Sequence, residues 1–397
     1  MFSKSFKSVF FSAKSAIRFS LSGLLLGCLL SLPLQAQVMI PAPPQLAAEA
    51  WVLMDAHSGK VLASKNANTR LPPASLTKMM TSYLLEYEIN RGNVSPNDLV
   101  PVSVKAWRMP GSRMFIQEGT LVSLGELLQG IVVQSGNDAS VAVAEYLAGS
   151  EEAFADLMNQ HARRIGMNST QFKNATGLPE EGHYSTAMDM AILSREKIIN
   201  YPEHYSLYSQ KEFTYNNIRQ NNRNTLLWSD SSVDGLKTGH TDAAGYCLAA
   251  SAVRNDMRLI SVVLGARSEE GRAQESQKLL TYGFRYFETP KLYERYEVLD
   301  SVRIWQGVQD ELQLGLENEL FATLPRGEQE NLQAQVNVHE TIKAPVRAGQ
   351  ELGTLIIRLG EEVIAQKPLV ALENIDEAGF FKRVWHSLLM FVIGLFS

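Results

Sequence analysis

Cysteine is nearly absent: two occur in 397 residues, Cys28 and Cys247. Once an N-terminal segment containing Cys28 is removed, Cys247 has no partner, so no internal disulfide can staple the fold. Acidic residues are missing from the N-terminus, where nothing negative precedes Glu49. Lys4, Lys7, Lys14 and Arg18 stand there instead, ahead of the apolar stretch Leu21 to Leu32 and the small-residue end Pro33-Leu34-Gln35-Ala36. That order reads as a secretory signal peptide over residues 1–36, cleaved after Ala36. A basic excess is also lacking. The whole chain has 37 Lys+Arg against 42 Asp+Glu, and losing those four N-terminal cations moves the net charge from −5 to −9. Such a chain is a poor nucleic-acid binder. No internal repeat, His-Glu-x-x-His or other metal-ligand spacing occurs, and the seven histidines are scattered. Neither a metal nor a cofactor is expected.

Leu25-Leu26-Gly27-Cys28 has the look of a lipoprotein cleavage box. The apolar stretch runs on to Leu32, however, which favours ordinary cleavage. At the other end, the run Leu388 to Phe396 is about half the ~20 residues a spanning helix needs. Phe380, Phe381, Val384, Trp385, Leu388, Leu389, Val392, Leu395 and Phe396 recur at helical spacing, with Lys382, Arg383 and His386 between them. This pattern suits a helix lying in a bilayer interface, and residues 373–397 are assigned to it. A helix packed onto the protein's own core is the alternative.

With 45% hydrophobic and 20% charged residues, the chain between these ends is globular. Trp51 to Met54 and Val61 to Ala63 flank Ser58-Gly59 as a hairpin. Residues 75–200 are mainly helical, with Asn174 to Leu178 as a break. Leu236 to Gly239, Tyr246 to Val253 and Arg258 to Ala266 read as successive strands, and Gln277 to Phe287 as a returning helix. Cys247 is expected to be a small buried strand residue. Strands at both ends of a helical middle predict an α+β domain over 37–289, a mostly antiparallel sheet with helices packed on it. Residues 290–372 alternate β-branched runs with turns and predict a small all-β domain.

Three motifs carry the chemistry: Ser75-Leu76-Thr77-Lys78, Ser135-Gly136-Asn137 and Lys237-Thr238-Gly239, once each and in that order. Serine is a weak nucleophile near neutral pH and needs an adjacent base and donors for the oxyanion. Three residues apart on a helix, Ser75 and Lys78 share a face, which brings an amine beside the hydroxyl. Ser135 can pass a proton toward a leaving group, Lys237 adds positive charge, and Gly239 admits close backbone approach. A second Ser-x-x-Lys, Ser194 to Lys197, has no such companions and is read as helix surface.

On these motifs the chain resembles a D-alanyl-D-alanine carboxypeptidase of the penicillin-binding protein 5 and 6 type, a β-lactamase/transpeptidase-like fold. The likeness includes Pro73 to Met80, Ser185 to Met190, Asn222 to Trp228 and Asp234 to Thr241. It implies a periplasmic enzyme held on the inner membrane by its tail, which removes the terminal D-Ala from peptidoglycan pentapeptide stems and is acylated by β-lactams. Ser75, Lys78 and Ser135 are then the catalytic residues, with the Ser75 and His240 amides as oxyanion hole. Asn137, Lys237, Thr238, Gly239, His240 and Arg223 bind substrate, Arg223 matching the arginine near the substrate carboxylate. A structural ion pair is the alternative for Arg223. Asp189 and Arg272 match structural supports, and His183 is read as a loop residue.

Three rival readings use the same features. A class A serine β-lactamase would carry a deacylating glutamate, yet no Glu-x-x-Leu-Asn lies between residues 150 and 190. A cross-link endopeptidase would share the machinery. A non-catalytic wall-binding scaffold would have no need to keep Ser75, Lys78 and Lys237 together.

Overall fold

The computed structural model describes residues 39–395, so the expected signal peptide and Cys28 lie outside the described residues. Its centre is a five-stranded antiparallel sheet. The strands are β1 (Ala50–Asp55), β2 (Val61–Lys65), β3 (Val233–Thr241), β4 (Gly245–Arg254) and β5 (Met257–Ala266), in the spatial order β2-β1-β5-β4-β3. Asn255 and Asp256 both take positive φ between β4 and β5, the geometry of a two-residue hairpin turn. The sheet is covered on both faces, so β1 is buried along its whole length. Val52 and Met54 face one apolar cluster while Trp51 and Leu53 face another, as the period of two requires.

The first face carries the helical layer: α1 (Lys78–Asn90), α2 (Leu124–Gln129), α3 (Asn137–Ala148), α4 (Glu151–Arg164) and α5 (Ala187–Asn200). Local signals start several of these helices. Ser123 and Glu126 form a reciprocal capping box on α2, and the Thr186 side chain accepts from Asp189 N at the start of α5. The second face is covered by α6 (Glu269–Tyr286). It begins eight residues earlier than its apolar periodicity suggests, because Ser268 caps a polar first turn by accepting from Gly271 N.

Beyond this lies an all-β part whose main sheet has six strands. They are β6 (Val298–Trp305), β7 (Glu311–Gly315), β8 (Leu332–Val338), β9 (Ile342–Lys343), β10 (Glu351–Leu359) and β11 (Glu362–Ala371), in the order β8-β10-β11-β7-β6-β9. The terminal helix α7 spans Phe380–Gly394. One side of it is tied to the β part: Gln306 N donates to His386 Nδ1 at 2.8 Å, and Lys382 pairs with Asp310 at 2.9 Å. Phe381, Trp385, Leu388 and Phe391 are exposed. Among the described residues no helix is long and apolar enough to cross a membrane.

The expected surface position of the second Ser-x-x-Lys is wrong. Ser194 and Lys197 are buried, because α5 packs between α1 and the sheet. Lys197 Nζ is 2.5 Å from Glu86 Oε2 and donates to Ser82 Oγ at 3.1 Å.

Candidate active site

Ser75 sits in a one-turn 3₁₀ helix, Ala74–Thr77, that runs into α1 at Lys78. Ala74 takes φ +47°, a left-handed conformation that is strained for a side chain and sits directly before the serine. Gly177 crosses the same turn so closely that a Cβ there would lie 1.8 Å from Ala74 O. Lys78 is fully buried; its Nζ stands 3.0 Å from Ser75 Oγ and donates to Thr176 O at 2.6 Å. The carbonyl is presented by a turn in which Asn174 Oδ1 accepts from Thr176 N and Gly177 N. Burial, and then the Arg223 charge, bring the Lys78 amine down to about 7, while Asp138 opposes the fall.

Ser135 follows a single π turn, Gly130–Gln134, and takes φ +64°. That backbone carries its hydroxyl into the cleft, where Oγ is buried without a hydrogen-bond partner among the described residues. Asn137, the first residue of α3, is fixed by donating to Pro110 O at 2.6 Å. Lys237, Thr238 and Gly239 lie on β3, the edge strand nearest the nucleophile. A Cβ on Gly239 would stand 3.2 Å from Leu76 N, so glycine lets the strand close on the serine turn.

Ser75, Ser135, Asn137, Arg223, Thr238, Gly239 and His240 line one cleft of about 350 Å³, with the two lysines buried under it. Arg223 is exposed, donates to Ser112 Oγ at 2.9 Å and among the described residues pairs with no acid. Its cation is therefore available to a ligand. His240 is exposed, its ring tilted against Tyr246 with centroids 4.1 Å apart. Arg272 is buried, with Glu269 at 2.6 Å, and reaches Gly239 O and Arg223 O at 3.4 Å each.

Lys237 is buried beside the other lysine, Lys78. Burial, then Lys78, Arg223 and Arg272, push its amine well below the ordinary lysine range, and among the described residues no carboxylate pairs with it. These neighbours weaken its hold on a proton, and an arriving carboxylate would strengthen it. His183 is more than a loop residue. It is buried, 2.9 Å from Thr77 Oγ1, and held near pKa 4 chiefly by burial, so it supports the nucleophile turn as a neutral ring. Asp189 accepts from Ser169 N and Thr170 Oγ1, a structural support as expected. Cys247 is buried in β4, and burial raises its thiol to about 11.

Asp138 was missed by the motif reading. Fully buried, it accepts from Met114 N at 3.0 Å, Phe115 N at 2.8 Å and Ile116 N at 3.3 Å, and so holds the cleft wall around Ser112. Its position directly after Ser135-Gly136-Asn137 was the only available signal.

The two-sided sheet, the helical layer and this cleft define an α+β protein of the β-lactamase/transpeptidase-like type. A family model described as D-alanyl-D-alanine carboxypeptidase matches residues 37–268, and one described as the penicillin-binding protein 5 C-terminal domain matches 287–377. The chain belongs to the D-alanyl-D-alanine carboxypeptidase family. It is 46% identical to D-alanyl-D-alanine carboxypeptidase DacC of Escherichia coli (strain K12), over 87% of this chain and 89% of that one. The crystal structure of penicillin binding protein 5 from Haemophilus influenzae superposes with a TM-score of 0.80 at 40% identity, covering 85% of this chain and all of that one. Penicillin-binding protein D2 of Listeria monocytogenes, in its ampicillin-bound form, gives 0.56 at 32% identity over 61% of this chain and 100% of that one.

Proposed function

We propose that this protein is a serine D-Ala-D-Ala carboxypeptidase acting on the pentapeptide stems of peptidoglycan. The observation that carries the reading is the buried Lys78 amine, without an ion-pair partner among the described residues, at 3.0 Å from Ser75 Oγ and with its pKa lowered to about 7. A neutral amine in that place accepts the serine proton as Oγ attacks the penultimate D-Ala carbonyl. The Ser75 and His240 amides receive the oxyanion. Collapse of the tetrahedral intermediate breaks the peptide bond, and the leaving D-Ala nitrogen takes a proton delivered through Ser135. Water then attacks the acyl ester, Lys78 accepts its proton, and Ser75 leaves reprotonated.

Edge strand β3 offers its free side to an extended peptide, and Thr238 and Arg223, which line the same cleft, would receive the terminal carboxylate. A β-lactam presents a similar carbonyl and carboxylate and acylates the same serine. Benzylpenicillin followed by peptide mass spectrometry tests the assignment. An adduct on Ser75 is expected; an adduct on Ser194, or none, would overturn it.

The proposal extends to location: a periplasmic enzyme held on the inner membrane by α7. Support comes from the exposed ring of Phe380, Phe381, Trp385, Leu388 and Phe391 on a helix too short to span.

A further inference from the structure

A second cleft lies away from Ser75. It encloses about 990 Å³ between the Asp55–Val61 turn, α5 and the all-β part, and shares no lining residue with the catalytic cleft. Its charges are unevenly matched. Both acids on its wall are already paired, Glu362 with Lys60 at 3.6 Å and Glu319 with Lys291 at 3.2 Å. Arg258 is paired with Asp234 at 2.8 Å. Arg195, Arg295 and Lys367 remain, and none of them pairs with a carboxylate among the described residues. Arg195 is partly buried and locked in place, donating to Ala56 O at 2.7 Å and His57 O at 3.0 Å.

Three unmatched cations in one cleft are unusual in a chain of net charge −5. Beside them, the His57 ring stacks on Phe321 at 4.5 Å and Val363 is exposed, so the cleft also offers flat apolar surface. Its base is fixed by a buried polar clasp: Asp55 accepts from Ser58 N and Thr289 Oγ1, and Ser58 Oγ meets Thr323 Oγ1 at 2.6 Å. The cavity is therefore preformed.

We propose that this cleft is a second binding site, for a carboxylate-bearing glycopeptide segment of the same wall polymer whose stems the catalytic cleft cuts. The inference rests on the carboxypeptidase reading for the identity of the polymer. The guanidinium groups of Arg195 and Arg295, held by main-chain carbonyls, and the exposed Lys367 ammonium recognise the stem carboxylates, and the ring platform takes a sugar or peptide face. A polymer held at one site presents its other stems at raised effective concentration to Ser75.

The test uses the full chain in detergent and a fluorescein-labelled disaccharide-tetrapeptide, which lacks the terminal D-Ala and is not hydrolysed. Ser75→Ala and penicillin-acylated wild type are both expected to bind it. Arg295→Glu/Lys367→Glu, both at exposed positions, should weaken binding at least ten-fold. That variant should keep kcat/KM on a short free D-Ala-D-Ala peptide within two-fold, and lose at least five-fold on polymeric strands. Arg195→Gln is a second variant expected to weaken binding should the double substitution unfold. Unchanged affinity in these variants, equal binding of a carboxyl-amidated probe, or displacement by anionic-lipid vesicles would each overturn the site. Failure of penicillin to acylate Ser75 would overturn the enzymatic reading instead, and the binding result would stand apart from it.

Discussion

Two Ser-x-x-Lys sequences lie in this chain, and both lysines are buried, yet they do opposite things. Lys78 faces a serine hydroxyl and a main-chain carbonyl, with no ion-pair partner among the described residues. Lys197 faces Glu86 at 2.5 Å, and Tyr208 OH stands 3.4 Å from the same carboxylate. Burial drives both lysines toward neutrality; for Lys197 the Glu86 charge works against it, whereas Lys78 has only the more distant Asp138. The first amine is free to take a proton, and the second is tied into a structural pair. Identical spacing therefore says little without knowledge of what surrounds the amine.

Substitutions at the two lysines should separate these roles. Lys78→Ala is expected to lower the rate of Ser75 acylation by benzylpenicillin ~10²–10⁴-fold, the range for losing a general base, with the melting curve little changed. Lys78→Arg should fail as well, since a guanidinium stays charged. A Lys78→Arg enzyme with near-native turnover would show that another group is the base. Lys197→Met should instead leave the acylation rate of folded protein within a few-fold while costing about 3–5 kcal/mol of stability, because Glu86 is left buried and alone. Adding Glu86→Leu should recover much of that loss, a result readable from denaturant midpoints.

The pH profile sharpens the same contrast. Because Lys78 acts when neutral, kcat/KM should fall as pH drops through about 7, where the free enzyme's amine gains its proton. Asp138→Asn removes the charge that raises Lys78, so this acid limb should move to lower pH. It should also cost ~1–3 kcal/mol by weakening the main-chain bonds that Asp138 accepts. A profile that does not move would separate Asp138 from the amine.

The smallest effect on chemistry should come from the tail. Ile375 and Ala378 are buried, and Glu377 bridges to Gly307, so the β part extends to Ala378. Ending the chain at Gly379 should leave hydrolysis of a short peptide within two-fold while releasing the protein from membranes in fractionation. A truncated form that still pellets would assign α7 to the protein's own surface.

Much of this was legible from the chain. The ordered motifs are local patterns, and the strands before and after the helical middle are short apolar runs bounded by turn residues, as strands covered on both faces should be. What escaped was adjacency. Asp138 has no motif of its own; its role arises because residues 112–116 fold back over it. Thr176 supplies a carbonyl to Lys78 across 98 residues of sequence, and the turn that aims it was visible only as a break. Lys237 could be placed in the site from its motif, but its lowered basicity depends on burial beside Lys78 and Arg223.

By itself, then, the sequence determined which residue types could meet: a serine and lysine one turn apart, a second serine before a helix, and a glycine-ended strand. Local geometry and hydrophobic period are properties of the chain. Only the tertiary structure decided which of two buried lysines lacks a counter-ion, which arginines remain unpaired, and where the cleft walls close. Charge state and accessibility are set by neighbours distant in sequence, through desolvation and Coulomb interaction that no local pattern encodes.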